Sequence, residues 1–280
     1  MAKHNDKKDK STLDNRNHDR PPERKISACL TVGNEELNIR RCLESLPWVD
    51  EIVVVDSFSK DNTFEICKEY TDRVYQHEWL GYIGQKELIK KLASHPWILF
   101  IDADEEVSPD LRAEILAEFD SGRCDNVDGY EFPRMVRYLG RWIRNGEWWP
   151  DLKMRLYRKD KGICTGREPH DRVELDGVVK RLKGCLYHYT YDDLADQVNT
   201  LNRFSGISAA TMESDGKKFS WFDLLFRPPF RFFKGYILKK GFLDGSRGFV
   251  IAKISAFGVF MKYIKLWEIE LLKKHDQNRK

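Results

Sequence analysis

Two short runs constrain the fold more than any other feature of the chain. Ile52-Val53-Val54-Val55 and Trp97-Ile98-Leu99-Phe100-Ile101 are apolar without a break. A strand with one wet face alternates apolar and polar residues, so unbroken runs predict strands buried on both faces, as in a parallel sheet covered by helices. Ile26-Ser27-Ala28-Cys29-Leu30-Thr31-Val32 reads as a third strand, closed by the loop signal Gly33-Asn34. Helical patterns follow each strand. Leu37, Ile39, Leu43 and Leu46 mark one face and Pro47 ends it; further helices are expected over 63–70 and 85–92, with a weaker strand near Val74. Ser108-Pro109 is an N-cap with proline in the first helical position, opening a helix with Leu111, Ile115 and Leu116. This alternation predicts an α/β fold with a mostly parallel, Rossmann-like sheet flanked by helices.

Ligands of such sheets bind beyond the carboxyl ends of the strands, so the loops after Val32, Val55 and Ile101 are expected to line one crevice. The third loop is Asp102-Ala103-Asp104-Glu105-Glu106. If the chain stays extended, alternation sends the Asp102 and Asp104 carboxylates to one side. Hard oxygens of this kind suit Mg²⁺ or Mn²⁺ bridging a substrate diphosphate; the alternative is an acidic turn leading into a helix. In the second loop, Asp56-Ser57-Phe58-Ser59-Lys60-Asp61, the short acid Asp56 can accept hydrogen bonds from a base or ribose, while Asp61 is expected to cap the next helix.

Beyond Gly129 the strands become shorter and less regular, around Tyr130-Glu131-Phe132, Met154-Arg155-Leu156-Tyr157 and residues 182–187. Asp192 is the expected cap of a helix carrying Leu194, Val198, Leu201 and Phe204 on one side. The first 25 residues are almost entirely polar, with no apolar signal segment, and are expected to form a disordered tail. With 33% charged residues the chain is not a polytopic membrane protein, and a net charge of +3 is too small to argue for nucleic acid. Six scattered cysteines without a C-x-x-C pair read as reduced thiols in a cytoplasmic protein, in preference to a disulfide framework.

Four motifs then occur in order: Ala28-Cys29-Leu30-Thr31-Val32-Gly33-Asn34-Glu35-Glu36, the Val-Asp-Ser-x-Ser-x-Asp-x-Thr run from Val55, Gly84-Gln85-Lys86, and Asp102-Ala103-Asp104-Glu105. Together they resemble family 2 glycosyltransferases of GT-A fold, over nearly everything from Ile26 to Glu268, and among these the bacterial β-1,4-glucosyltransferases of the lipopolysaccharide core that act on heptose. The resemblance implies an enzyme that moves a sugar, with inversion, from a nucleotide-sugar donor (a UDP-sugar) to a glycan or glycolipid acceptor. It implies that Thr31 and Glu35 lie near the nucleoside, Asp56 contacts base or ribose, Lys86 meets base or diphosphate, Asp102 holds ribose or metal waters, and Asp104 ligates the metal. Gly33, where relatives carry a larger residue, and Glu87, in place of a common asparagine, depart from the pattern. These departures bear on nucleotide recognition, not on the reaction class.

Inversion needs a carboxylate to deprotonate the acceptor hydroxyl. The run Gly166-Arg167-Glu168-Pro169-His170-Asp171-Arg172-Val173 resembles the family's His-Glu element, which makes Asp171 the expected base, with Asp151 as second choice. His170 is a candidate for the metal shell or the diphosphate, or a structural histidine on a backbone carbonyl. Arg155 and Arg158 can meet phosphate or acceptor anions. Trp142, Trp148 and Trp149 can offer a sugar-stacking platform or belong to the core, and His188-Tyr189-Thr190-Tyr191 reads as structural. The expected division is a tail over 1–25, a catalytic domain over 26–215 (nucleotide-sugar half 26–125, acceptor half 126–215), and a helical, basic and aromatic extension over 216–280. From Ser220 onward there are thirteen Lys or Arg against five Asp or Glu, interleaved with phenylalanines. That pattern suits an amphipathic element lying on an anionic membrane surface, making the protein peripheral on the inner face of the cytoplasmic membrane. Two other readings compete. Sugar nucleotidyl transfer is disfavoured because Val32-Gly33-Asn34-Glu35 lacks a lysine-containing, glycine-rich phosphate loop. A non-catalytic, membrane-docked sugar-nucleotide-binding module is favoured only by Gly33 and Glu87.

Overall fold

The computed structural model describes residues 20–167, 170–191 and 193–277 and divides them between two compact units. The first comprises the chain up to Arg134 together with residues 152–188. Its sheet begins with strands β1 (Ile26–Val32), β2 (Glu51–Asp56), β3 (Val74–Gln76) and β4 (Trp97–Phe100), all parallel, in the order β3-β2-β1-β4. It continues through β8 (Asp151–Arg158), β6 (from Gly129), β12 (Leu186–His188) and β5 (Glu105–Val107), with β8 antiparallel to β4 and β12 antiparallel to β5. The expected α/β architecture is therefore present, parallel where the sequence runs are unbroken and with antiparallel pairs, β4 with β8 and β5 with β12, where they become irregular.

Burial on both faces follows from alternation along these strands. Ala28, Leu30, Val54, Trp97 and Leu99 enter one core, with Leu43 of helix α1 (Ile39–Glu44), Cys67 of α2 (Thr63–Lys68) and Ile115 of α4 (Pro109–Asp120). Cys29, Val53, Val55, Ile98 and Phe100 enter the other, with Ile89 of α3 (Gly81–Leu92). Each large apolar side chain so removed from water contributes about 1.5–3 kcal/mol, which is why the unbroken runs can only sit here. The Ser108 cap is in place: its Oγ accepts from Leu111 N at 3.2 Å, with Pro109 at the start of α4.

Residues 20–25, assigned to the polar tail on sequence, are ordered. Arg20 is buried with its guanidinium 3.3 Å from Asp50, and Pro22–Arg24 form a 3-10 turn. Specific ion pairs, which composition does not register, hold this segment to the domain; residues 1–19 lie outside the described residues. Of the strand expected over 182–187 only the end is one, within β12; β11 (Val179–Arg181) precedes it, and between the two the amides of Lys183 and Gly184 turn away to the Glu114 carboxylate at 2.8 and 3.0 Å.

The second unit contains residues 135–151 and 189–280. The end of β6 pairs with β7 (Arg141–Trp142), and three helices follow: α5 (Leu194–Ser214), α6 (Trp221–Phe233) and α7 (Gly245–Gln277). Asp193 caps α5, its side chain accepting from Asp196 N at 2.8 Å; the expected cap, Asp192, lies outside the described residues. Lys265 of α7 reaches Asn202 Oδ1 (2.7 Å) and Ser205 Oγ (2.9 Å) of α5. Gly248 lets α7 cross the preceding turn, since a Cβ there would stand 1.8 Å from Gly241 O. Trp148 packs edge-on to Tyr138, ring centroids 5.2 Å apart, and Trp142 meets Tyr189 at 5.6 Å. Both indoles are half-buried against these rings. Among the described residues no helix is long and apolar enough to cross a membrane.

Candidate active site

The loops after β1 and β2 are knitted together at the carboxyl ends of their strands. Asn34 N donates to Ser59 Oγ (2.9 Å), Lys60 N to Asn34 Oδ1 (2.8 Å) and Glu35 N to Thr63 Oγ1 (2.7 Å). Asp61 accepts from Thr63 N and Oγ1 at 3.0 and 2.6 Å and from Glu36 N at 3.2 Å, but the N-cap position of α2 is the next residue, Asn62, so Asp61 ties the two loops together from just outside the helix. Asp56 is fully buried at the end of β2. Its carboxylate accepts from Ser59 N (3.1 Å), from Ser59 Oγ and from Gln76 Nε2 (3.0 Å), the residue opposite it on β3. Thr31, half-buried, sits on β1 opposite Val55.

The third loop is where the sequence reading needs correction. The chain does not stay extended after Ile101: Glu105 N donates to Asp102 O at 2.9 Å, closing a turn. The two aspartates consequently take different partners. Asp102 is ion-paired with Arg155 of β8, and Asp104 Oδ2 lies 3.0 Å from His188 Nε2. Glu105 holds this arrangement. It has no exposed surface, accepts from Arg155 at 2.8 Å, from Arg134 at 3.2 Å and from Asp102 N at 3.1 Å, and pairs across β5 and β12 with His188. That register carries the imidazole to Asp104, and nothing local in the sequence signals it.

Electrostatics follow from the geometry. Surrounding protein disfavours charge on Asp102, but Arg155, Lys86 and Arg134 outweigh this and hold its carboxyl well below the usual range. Burial opposes the charge on Arg155, and the Asp102 and Glu105 carboxylates overcome it, keeping the guanidinium firmly protonated. Behind the turn, Cys42 Sγ donates to Asp102 O at 3.5 Å, and burial together with Glu105, Asp104 and Asp102 pushes that thiol up. Lys86 thus acts on Asp102 as a neighbouring cation, with its ammonium 5.7 Å from the Phe100 ring centre. The adjacent Gln85 is fully buried, donates to Ser57 Oγ at 2.9 Å, and leaves its Oε1 without a hydrogen-bond partner.

Other sequence candidates fall elsewhere. Glu87 accepts from Lys90 (2.8 Å) and from Cys164 N (3.3 Å) of β9 (Gly162–Arg167). Arg158 lies over the Trp97 ring at 4.9 Å and donates to Val127 O at 3.4 Å, opposite the first residue of β4. His170 and Asp171 belong to β10 (His170–Leu175), opposite Arg167 and Gly166 of β9; their side chains lie outside the described residues, as do Glu168 and Pro169. Asp151 opens β8 and belongs to the second unit.

Among the described residues no cluster of three His, Cys, Asp or Glu is placed to hold a metal by itself. Asp104 and His188 supply one hard oxygen and one imidazole nitrogen. The Asp104 carboxylate is the kind of donor that Mg²⁺ or Mn²⁺ takes while completing its shell with substrate phosphates and water, so it fits such an ion, with His188 beside it as a second donor.

The family model described as glycosyl transferase family 2 matches residues 27–182. An uncharacterized glycosyltransferase of Rickettsia typhi is 33% identical over 260 residues, spanning 89% of this chain and 88% of its own length. The lipopolysaccharide core biosynthesis glycosyltransferase LpsC of Rhizobium meliloti is 30% identical over 259 residues, 90% of this chain and 95% of its own. Two solved structures are more distant. S. aureus TarS 1–349 in complex with UDP-GlcNAc covers 86% of this chain and 89% of its own at 14% identity and a TM-score of 0.45. Glucosyl-3-phosphoglycerate synthase from Mycobacterium tuberculosis with Mn²⁺ and UDP-glucose covers 70% and 80% at 14% identity and 0.43. With its four motifs at the ends of β1, β2 and β4 and along α3, the chain belongs to glycosyl transferase family 2 and is a glycosyltransferase of GT-A fold.

Proposed function

We propose that the protein is a metal-dependent, inverting glycosyltransferase that takes a sugar from a UDP-sugar and places it on a glycan or glycolipid of the lipopolysaccharide core or another surface polysaccharide. The observation that carries this reading is the Asp104–His188 pair, 3.0 Å apart at the end of β4 and beside the Asp102–Arg155 ion pair. Asp104 and His188 would hold the divalent ion, which when bound neutralises charge on the departing diphosphate. Lys86 adds a fixed positive charge at the same end of the sheet. Thr31, Glu35 and Asp56 would border the nucleoside, and Asp102, oriented by Arg155, the ribose. A carboxylate, Asp171 in this reading and Asp151 as the alternative, would take the acceptor hydroxyl proton as the new O–C bond forms and the bond from the anomeric carbon to phosphate breaks. Similarity to LpsC over most of both chains supports a lipopolysaccharide-type acceptor. A lipid-linked acceptor of that kind would be met at a membrane, which supports the reading of a peripheral enzyme on the inner face of the cytoplasmic membrane.

The test is a donor screen. Purified protein with Mn²⁺ or Mg²⁺ should slowly release UDP from one UDP-sugar, and Asp104→Ala should abolish this while circular dichroism stays unchanged. Full activity in Asp104→Ala would sink the metal assignment. Pyrophosphate release from a nucleotide and a sugar phosphate would replace glycosyl transfer with nucleotidyl transfer.

A further inference from the structure

Helix α6 is amphipathic with its apolar face turned the wrong way for a globular core. Phe222, Leu225, Phe226, Pro229, Phe230 and Phe233 follow the three-and-four spacing of a single helical face, an arc of about 140° at 3.6 residues per turn. Such a stripe normally packs inward. Here all six are exposed, while the buried residue of α6, Leu224, lies on the opposite side. The apolar surface continues past the helix through exposed Ile237, Leu238, Phe242 and Leu243. Beside it, between α6 and α7, runs an apolar groove of about 320 Å³ lined by Pro228, Pro229, Phe232, Phe257 and Phe260, with Lys253 among its lining residues.

The charge on this surface selects its occupant. Residues 221–262 carry eight Lys or Arg and two Asp or Glu. Both acids are occupied within the unit: Asp223 by Arg227 and Lys217 (2.5 and 3.2 Å), Asp244 by the amide of Asn145 (2.8 Å). Lys234, Lys239, Lys240 and Lys253 are exposed around the phenylalanine stripe, and Lys253 rides 4.7 Å above the Phe232 ring. A second copy of the chain would bring the same cations and repel. Rings that enter an apolar layer, flanked by cations at its boundary, match an anionic bilayer.

We propose that the outward face of α6, with the turn that follows it, is a docking surface for an anionic lipid bilayer, the phenylalanines entering the headgroup boundary and the lysines meeting lipid phosphates. It rests on the reading of a peripheral enzyme with a lipid-linked acceptor and not on the sugar transfer itself. Full-length protein is incubated with vesicles of phosphatidylcholine alone or of phosphatidylcholine mixed with phosphatidylglycerol, and pelleted. Wild type should co-sediment with the anionic vesicles and not the neutral ones. The variant Phe222→Ser/Phe226→Ser/Phe230→Ser, and separately Lys234→Gln/Lys239→Gln/Lys240→Gln, should each bind at least about tenfold more weakly. Release of UDP from the donor in lipid-free solution should be unchanged in both, which separates failure of the docking surface from failure of the transferase reading. No wild-type binding to anionic vesicles, or undiminished binding by the phenylalanine variant, overturns the proposal. So does a wild type that sediments as a dimer, becomes monomeric in the phenylalanine variant and ignores vesicles.

Discussion

His188 Nε2 lies 3.0 Å from Asp104 Oδ2, across 84 residues of sequence. The antiparallel register that sets Glu105 against His188 brings the two together, since Asp104 is the residue before the strand begins. If both are ligands of one ion, His188→Ala should lower Mn²⁺-dependent release of UDP on the order of 100-fold and weaken Mn²⁺ binding in the presence of UDP, read by calorimetry. Identical Mn²⁺ dependence in variant and wild type would remove His188 from the site.

Arg155 is a different kind of residue. It is buried between Asp102 and Glu105, and Glu105 has no exposed surface. Truncation to Arg155→Leu strands a carboxylate in the interior, so urea unfolding should show a loss of about 3–5 kcal/mol. Arg155→Lys should recover only part of it, because an ammonium is more strongly hydrated than a guanidinium and costs more to bury. A neutral Arg155→Leu would show that water, not Arg155, satisfies the turn.

The parallel half of the fold was legible because its signal is local. Val53-Val54-Val55 and Trp97 to Phe100 must be buried on both faces, and only a covered sheet provides that. The Ser108 cap was legible for the same reason. Asp102 and Asp104 could be found as an acidic loop, but their directions could not, because the turn depends on Glu105, Arg155 and Arg134, which come from three strands. His188 was invisible, since register between β5 and β12 is a tertiary property. Asp193 instead of Asp192 as a cap is a one-residue ambiguity between identical side chains.

The general base should reveal itself by separating chemistry from binding. Asp171→Asn should lower transfer to acceptor on the order of 100-fold or more, with UDP and Mn²⁺ affinity unchanged. If Asp151→Asn shows that pattern and Asp171→Asn does not, the roles exchange.

Thiol titration gives an independent check on the core. The six cysteines are thiols outside any disulfide; five are buried, and Cys185 alone is partly exposed. Burial pushes Cys67 up to about 12 and Cys124 and Cys164 up to about 11, so these sulfurs stay protonated and unreactive at neutral pH. Ellman's reagent should therefore titrate one thiol per native chain and the remaining five only in denaturant. Rapid reaction of more than one native thiol would contradict the packing around β1, α1 and α2.

Glu118 links α4 to acid stability. Its buried carboxylate accepts from Lys180 (2.7 Å), Arg123 (2.8 Å) and Tyr130 OH (3.2 Å). Burial alone would raise its pKa, but the Lys180 and Arg123 contacts win and lower it. The unfolded chain takes up this proton near about 4.3, the folded protein only at lower pH. Stability from the ionised cluster is thus complete above the unfolded value and is lost as pH falls through the folded one. Glu118→Gln should cost about 1–2 kcal/mol at pH 7. That difference should persist to pH 5 and narrow below about 4.3, as wild type gains the same proton. Urea titrations of both proteins at a series of pH values read it directly. A gap that is still full at pH 3 would mean that the glutamine side chain destabilises through shape, with the charge on Glu118 contributing nothing.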